Sequence, residues 1–117
     1  MNYIFDIDGT ITAAPAALRA IMHGLVSTGH MVHVLTGTGD STAEERHYQA
    51  RVTQLNSYGI HCPSHYHYLH IVSSPGNIEA KVRYCLDHHA VLVFEDSQQY
   101  TEAMRAAGIQ VVTFPYG

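Results

Sequence analysis

Tyr3-Ile4-Phe5-Asp6-Ile7-Asp8-Gly9-Thr10 is the stretch on which the fold turns. Its apolar residues predict a strand over Tyr3–Ile7, stopped by Asp8-Gly9. A strand alternates faces with period two, so Asp6 and Asp8 at its carboxyl end point roughly the same way. Two carboxylates held together at a sheet edge repel each other and lose hydration. A hard divalent cation with oxygen ligands is the natural compensation.

Outward from this strand, apolar runs and helical stripes alternate. Leu18, Ile21, Met22, Leu25 and Val26 recur at helical spacing after Pro15, and Gly29 stops that helix. Met31–Leu35 predicts a second strand, running into Thr36-Gly37-Thr38-Gly39. Thr42-Ala43-Glu44-Glu45 has the form of a capping box, and Tyr48, Val52 and Leu55 share the next helix face. Residues 60–68 read as a loop and His70–Val72 as a short strand. Asn77 opens a helix that aligns Ile78, Val82, Cys85 and Leu86. Ala90–Phe94 is the most apolar strand and ends at Glu95-Asp96. Ser97 caps a helix with Tyr100, Ala103, Met104 and Ala107 inward, and Ile109–Phe114 is the last strand. The order βαβαβαβαβ predicts an α/β chain, a Rossmann-like three-layer sandwich with a five-stranded parallel sheet, as one domain over residues 1–117. Such sheets bind ligands at the carboxyl ends of their strands. Those ends carry Asp6 and Asp8, then Thr36, then Glu95 and Asp96.

Composition narrows the function. Of 117 residues, 46% are apolar and 14% charged, which supports a packed core and argues against disorder. The net charge of −4 and the lack of a basic run give no electrostatic grip on long nucleic acid. The two cysteines, Cys62 and Cys85, are too few for a disulfide framework and read as reduced thiols. No apolar run reaches the roughly 20 residues of a membrane span, and no signal peptide is visible, so a cytoplasmic location is expected.

The strand-end residues resemble the four motifs of the haloacid dehalogenase-like (HAD) superfamily, in order along nearly the whole chain. Phe5-Asp6-Ile7-Asp8-Gly9-Thr10 resembles the first motif, a hydrophobic strand followed by D-x-D-G-T. Val32-His33-Val34-Leu35-Thr36-Gly37 resembles the second, Lys81 falls where the third places its lysine, and Val91-Leu92-Val93-Phe94-Glu95-Asp96 resembles the fourth. The resemblance implies a Mg²⁺-dependent phosphohydrolase. Asp6 would be the nucleophile that forms an aspartyl-phosphate, and Asp8 the acid and then the base. Asp6, the backbone carbonyl of Asp8 and Asp96 would hold Mg²⁺, with Glu95 orienting its waters or sharing the metal. Thr36 and the N–H of Gly37 would bind phosphate oxygens, and Lys81, the chain's single lysine, would neutralise charge between Asp6 and phosphate. Arg46, Arg51 and Arg83 are further contacts for phosphate or substrate, though each also suits a solvated face.

Thr10–Pro15 leaves no room for an inserted cap domain, and residues 56–76 allow only a loop or hairpin. This resembles the capless members. In compactness and single-helix spacing it is similar to the 3′-phosphatase domain of polynucleotide kinases. An open site needs a bulky substrate or a neighbouring subunit to exclude water, so a homo-oligomer is one way to cover it. A nucleotide, a sugar phosphate and a nucleic-acid end all remain candidate substrates. A phosphotransferase and a non-catalytic binding module on the same fold are the alternatives. The ten histidines include a cluster at His61, His65, His67 and His70. Its spacing fits no tidy metal-ligand pattern, and it reads as a loop near the site that touches substrate or a partner.

Overall fold

The computed structural model describes residues 1–38, 44–73 and 77–113, excepting the side chains of residues 38, 44, 45 and 73. Five strands form one parallel sheet: β1 (Asn2–Phe5), β2 (Met31–Thr38), β3 (Tyr68–Ser73), β4 (Ala90–Glu95) and β5 (Val111–Thr113). The helices are α1 (Pro15–Ser27), α2 (Glu44–Ser57), α3 (Asn77–Asp87) and α4 (Gln98–Ala106). The strand order is β3-β2-β1-β4-β5. The chain therefore steps outward from β1 to β3, then crosses back to β4 on the other side of β1.

That reversal separates the helices into two layers, because parallel crossovers keep one hand. On one face Leu18 and Met22 of α1 and Leu55 of α2 pack on Phe5, Val32, Val34 and Phe94. On the other, Cys85 of α3 and Met104 of α4 pack on Ile4, Leu35, Val72 and Val93. Adjacent strand residues such as Ile4 and Phe5 thus serve opposite cores, as a sheet covered on both sides requires. The radius of gyration is 13.2 Å, near the value of about 13 Å expected at this length, and among the described residues no cap stands off the sandwich.

Several elements differ from the sequence reading. β1 ends at Phe5, not Ile7, because the chain leaves the sheet at Asp6 and enters a wide turn over Ile7–Ile11. Gly9 takes φ 82° there, a backbone conformation that a side chain would strain. Its N–H donates to Thr12 Oγ1 at 2.8 Å. β2 and β3 are longer than predicted, since Thr36 and Gly37 pair with Ile71 and Val72 and so remain in the sheet. Ala107, read as inward, and Leu86 and Tyr48, aligned with apolar helix faces by their spacing, are exposed, whereas Thr101 is buried. The capping box at Thr42–Glu45 and the end of the last strand at Phe114 lie outside the described residues. Cys85 is a buried free thiol and Cys62 an exposed one. Among the described residues no helix is long and apolar enough to cross a membrane.

The histidine-rich segment is not near the strand-end acids. It precedes β3, and in a parallel sheet every helix-to-strand connection lies at the amino edge, opposite the acids. His67 Nδ1 accepts the N–H of Val32, at the start of β2, at 3.1 Å. His61 and His65 contact each other at the same edge, while His70 stacks on Tyr84 of α3. Among the described residues no histidine belongs to a metal-sized cluster of ligand atoms.

Candidate active site

The crossover places β4 directly beside β1, with Phe5 paired to Phe94. Asp6 follows Phe5, and its N–H donates to Phe94 O at 3.0 Å, so Asp6 and Glu95 stand side by side at the carboxyl ends of their strands. The loops after β1 and β4 lead to opposite layers, which opens the crevice where such sheets take ligands. A cavity of about 300 Å³ fills it, lined by Asp6, Asp8, Lys81, Glu95, Asp96 and Tyr100, among others.

Lys81 forms the floor. It lies on α3, it is 1% exposed, and its Nζ donates to Asp6 Oδ1 at 2.9 Å and to Glu95 Oε2 at 3.1 Å. The same ammonium stands 4.3 Å from the centre of the Tyr100 ring, an added attraction for the cation. Glu95 is held from both sides. Its second oxygen, Oε1, accepts the N–H groups of Asp96 and Ser97 at 3.2 and 3.3 Å. Ser97 does occupy the cap position of α4, but its side chain makes no capping bond, and Glu95 satisfies that turn instead.

Carboxylates outnumber cations in this crevice. Burial pushes Asp6 up to about 8; Lys81 opposes the shift, while Glu95 and Asp96 add to it. Glu95 is also raised, by burial against the pull of Lys81. Burial pulls Lys81 down, but Asp6 and Glu95 more than offset it and hold the ammonium charged. One buried cation thus serves two buried acids, and Asp96 stands beside them. Carboxylate oxygens of Asp6, Glu95 and Asp96 lie within 4.8 Å of one another. An all-oxygen donor set with excess negative charge fits a hard divalent cation.

Of the residues singled out from sequence, Asp6, Asp8, Gly37, Lys81, Glu95 and Asp96 line this cavity. Thr36 does not. It is fully buried within β2, and its Oγ1 has no hydrogen-bond partner. The carboxylate of Asp8 stands apart from the acidic cluster and is clamped by Arg51 at 2.7 and 3.0 Å. Tyr100 and Asn77 were read as core and cap, yet both reach the site. A Cβ on Gly37 would lie 3.0 Å from Asn77 Nδ2 and 3.6 Å from the Tyr100 hydroxyl. An aromatic or amide at a helix start carries no local signal that distinguishes these roles.

Neither a known protein-family profile nor a curated protein matches this chain. Solved structures do. A chain of the Pnkp1/Rnl/Hen1 complex aligns with a TM-score of 0.69 at 18% identity, over 99% of this chain and 46% of that one. An uncharacterized protein from Corynebacterium glutamicum aligns with a TM-score of 0.65 at 16% identity, over 98% of this chain and 85% of the other. The core domain of a protein described as a phosphoglycolate phosphatase, from Streptococcus pneumoniae, gives 0.55 at 18% identity, over 99% and 80%. A universal stress protein family member from Burkholderia pseudomallei gives 0.62 at 16%, over 98% and 96%. Identities this low establish a shared fold and nothing more.

Proposed function

We propose that the chain is a Mg²⁺-dependent phosphomonoester hydrolase of the HAD type, with Asp6 as its nucleophile. The observation that carries this reading is the buried Lys81 bridge between Asp6 and Glu95, beside Asp96, at the floor of an open crevice. A purely structural ion pair would need no adjoining surplus of carboxylates and no cavity above it.

The side chains of Asp6 and Asp96 and the backbone carbonyl of Asp8 would hold the cation, with Glu95 fixing Lys81 and the turn after β4. When bound, the cation would offset charge on the phosphoryl oxygens and on Asp6. Asp6 attacks as a carboxylate; burial raises it to about 8 in spite of Lys81, so this form would depend on Lys81 and the bound cation together. The Asp6 oxygen–phosphorus bond forms as the bond to the leaving oxygen breaks, and Asp8 gives that oxygen a proton. Water then attacks phosphorus, Asp8 takes its proton, and the bond to Asp6 breaks to release phosphate. The mixed anhydride divides one difficult displacement into two. The N–H of Gly37, at the cavity wall, would meet phosphate oxygens, a role the resemblance also implies for Thr36 but one that its burial away from the cavity does not support.

The test is hydrolysis of p-nitrophenyl phosphate and of a panel of nucleotides, sugar phosphates and 3′-phosphorylated oligonucleotides. Turnover is expected with Mg²⁺ and lost with EDTA or in Asp6→Asn. Folded protein that binds Mg²⁺ yet turns over nothing in the panel would overturn the proposal in favour of a binding module.

A further inference from the structure

The crevice continues past Asp8 into a second hollow of about 480 Å³, lined by Asp8 and Gly37, which it shares with the first, and by His47, Arg51, Gln54 and Ile71. α2 builds this wall with a second stripe. Val52 and Leu55 pack toward the core, whereas His47, Ala50, Arg51 and Gln54, spaced for one helix face, line the hollow. Its size suits the body of a small ligand.

Arg51 is fixed within it. Its Nη1 donates to Gln54 Oε1 at 2.9 Å and to Asp8 Oδ1 at 3.0 Å, and its Nη2 donates to Asp8 Oδ2 at 2.7 Å. The Arg51 side chain is only 22% exposed, against 64% for Asp8, so the guanidinium belongs to the wall and the carboxylate reaches over to it. Both oxygens of Asp8, which lines both hollows, are thereby engaged by Arg51. For Asp8 to face a leaving oxygen, another anion must take its place on Arg51. The phosphoryl group would sit on Asp6 in the first cavity, whereas Arg51 belongs to the wall of the second. Among the described residues lining the two hollows, Lys81 and Arg51 are the fixed cations.

We propose that the second hollow holds the leaving group of the substrate. Arg51 there selects phosphomonoesters bearing a second anionic group, a carboxylate or another phosphate. The planar fork that now grips Asp8 would grip this group instead, releasing Asp8 toward the leaving oxygen. The inference rests on the phosphatase reading for its chemistry but not for the anion site itself.

Two matched pairs test it: 3-phosphoglycerate against glycerol 3-phosphate, and a nucleoside 3′,5′-bisphosphate against its 3′-monophosphate. The doubly anionic member of at least one pair is expected to have the higher kcat/KM, by about 10- to 100-fold, the range for hydrogen bonds to charged groups. Which pair responds tells carboxylate from phosphate. In Arg51→Met the ratio should fall toward one, and in Arg51→Lys part of the way. The wild-type ratios need no variant and stand even if both substitutions unfold the chain. Calorimetric binding of the same ligands to Asp6→Asn gives a readout without turnover. Mg²⁺-dependent hydrolysis with no preference in either pair, by rate or binding, overturns this inference alone. An Arg51-dependent binding preference without hydrolysis overturns the phosphatase reading and keeps the anion site. Neither hydrolysis nor preference overturns both.

Discussion

Removing the ammonium of Lys81 would leave Asp6 and Glu95 buried against each other without a counter-charge. Breaking one partner of a buried ion pair costs roughly 3 kcal/mol or more, lessened here by the ease with which Asp6 takes up a proton. Lys81→Met is therefore expected to lower unfolding stability by about 2–3 kcal/mol in urea, and to abolish turnover. Adding Glu95→Gln should recover part of the stability, because the two sites share one network. A strictly additive pair of losses would contradict the bridge as described. Gly37 makes a complementary case. A Cβ there meets Asn77 Nδ2 at 3.0 Å, so Gly37→Ala makes the Asn77 amide shift by a few tenths of an ångström at the mouth of the cavity. Its expected signature is a fall in kcat/KM larger than the change in stability, compared by kinetics and thermal melts.

At the level of elements, His33 ties three together. Buried in β2, it exchanges hydrogen bonds with Tyr84 of α3 and Asn2 of β1, each at 2.8 Å. Burial, helped by His88 and His67, pulls it down to about 4 from 6.5. The folded form thus binds the proton more weakly than the unfolded chain. Its contribution to stability is complete above about pH 6.5 and is lost as pH falls toward about 4. The full loss is at most about 3 kcal/mol. His33→Gln should flatten the acid side of the stability curve between those limits, read from urea unfolding at stepped pH. An unchanged difference between wild type and variant across that window would rule the effect out. Sequence periodicity had assigned the elements well, since apolar spacing and glycine stops are local. It failed at Leu86 and Tyr48, because a helix presents more than one apolar residue to each side and only the neighbouring layer decides which is covered.

For the whole molecule, a bound cation stabilises the folded state by mass action, since the three acids converge only when β1 and β4 are paired. Millimolar Mg²⁺ is expected to raise the melting temperature by several degrees, corresponding to about 1–3 kcal/mol. The rise should be lost with EDTA and in Asp96→Asn. An equal rise in Asp96→Asn would place the cation elsewhere. The sequence by itself determined the alternation of strands and helices, the parallel sheet and the acids at two strand ends, because each is written in neighbouring residues. The acidic end of β4 is also expected beside β1 from the sequence, and the two strands do pair; only the tertiary structure decided that Lys81 bridges Asp6 and Glu95 there. It also decided that Arg51 reaches Asp8 across 43 positions, and that His61, His65 and His67 go to the far edge of the sheet while His70 stacks on Tyr84. Strand order and helix facing arise from packing both sides of one sheet, a long-range balance that no local pattern encodes.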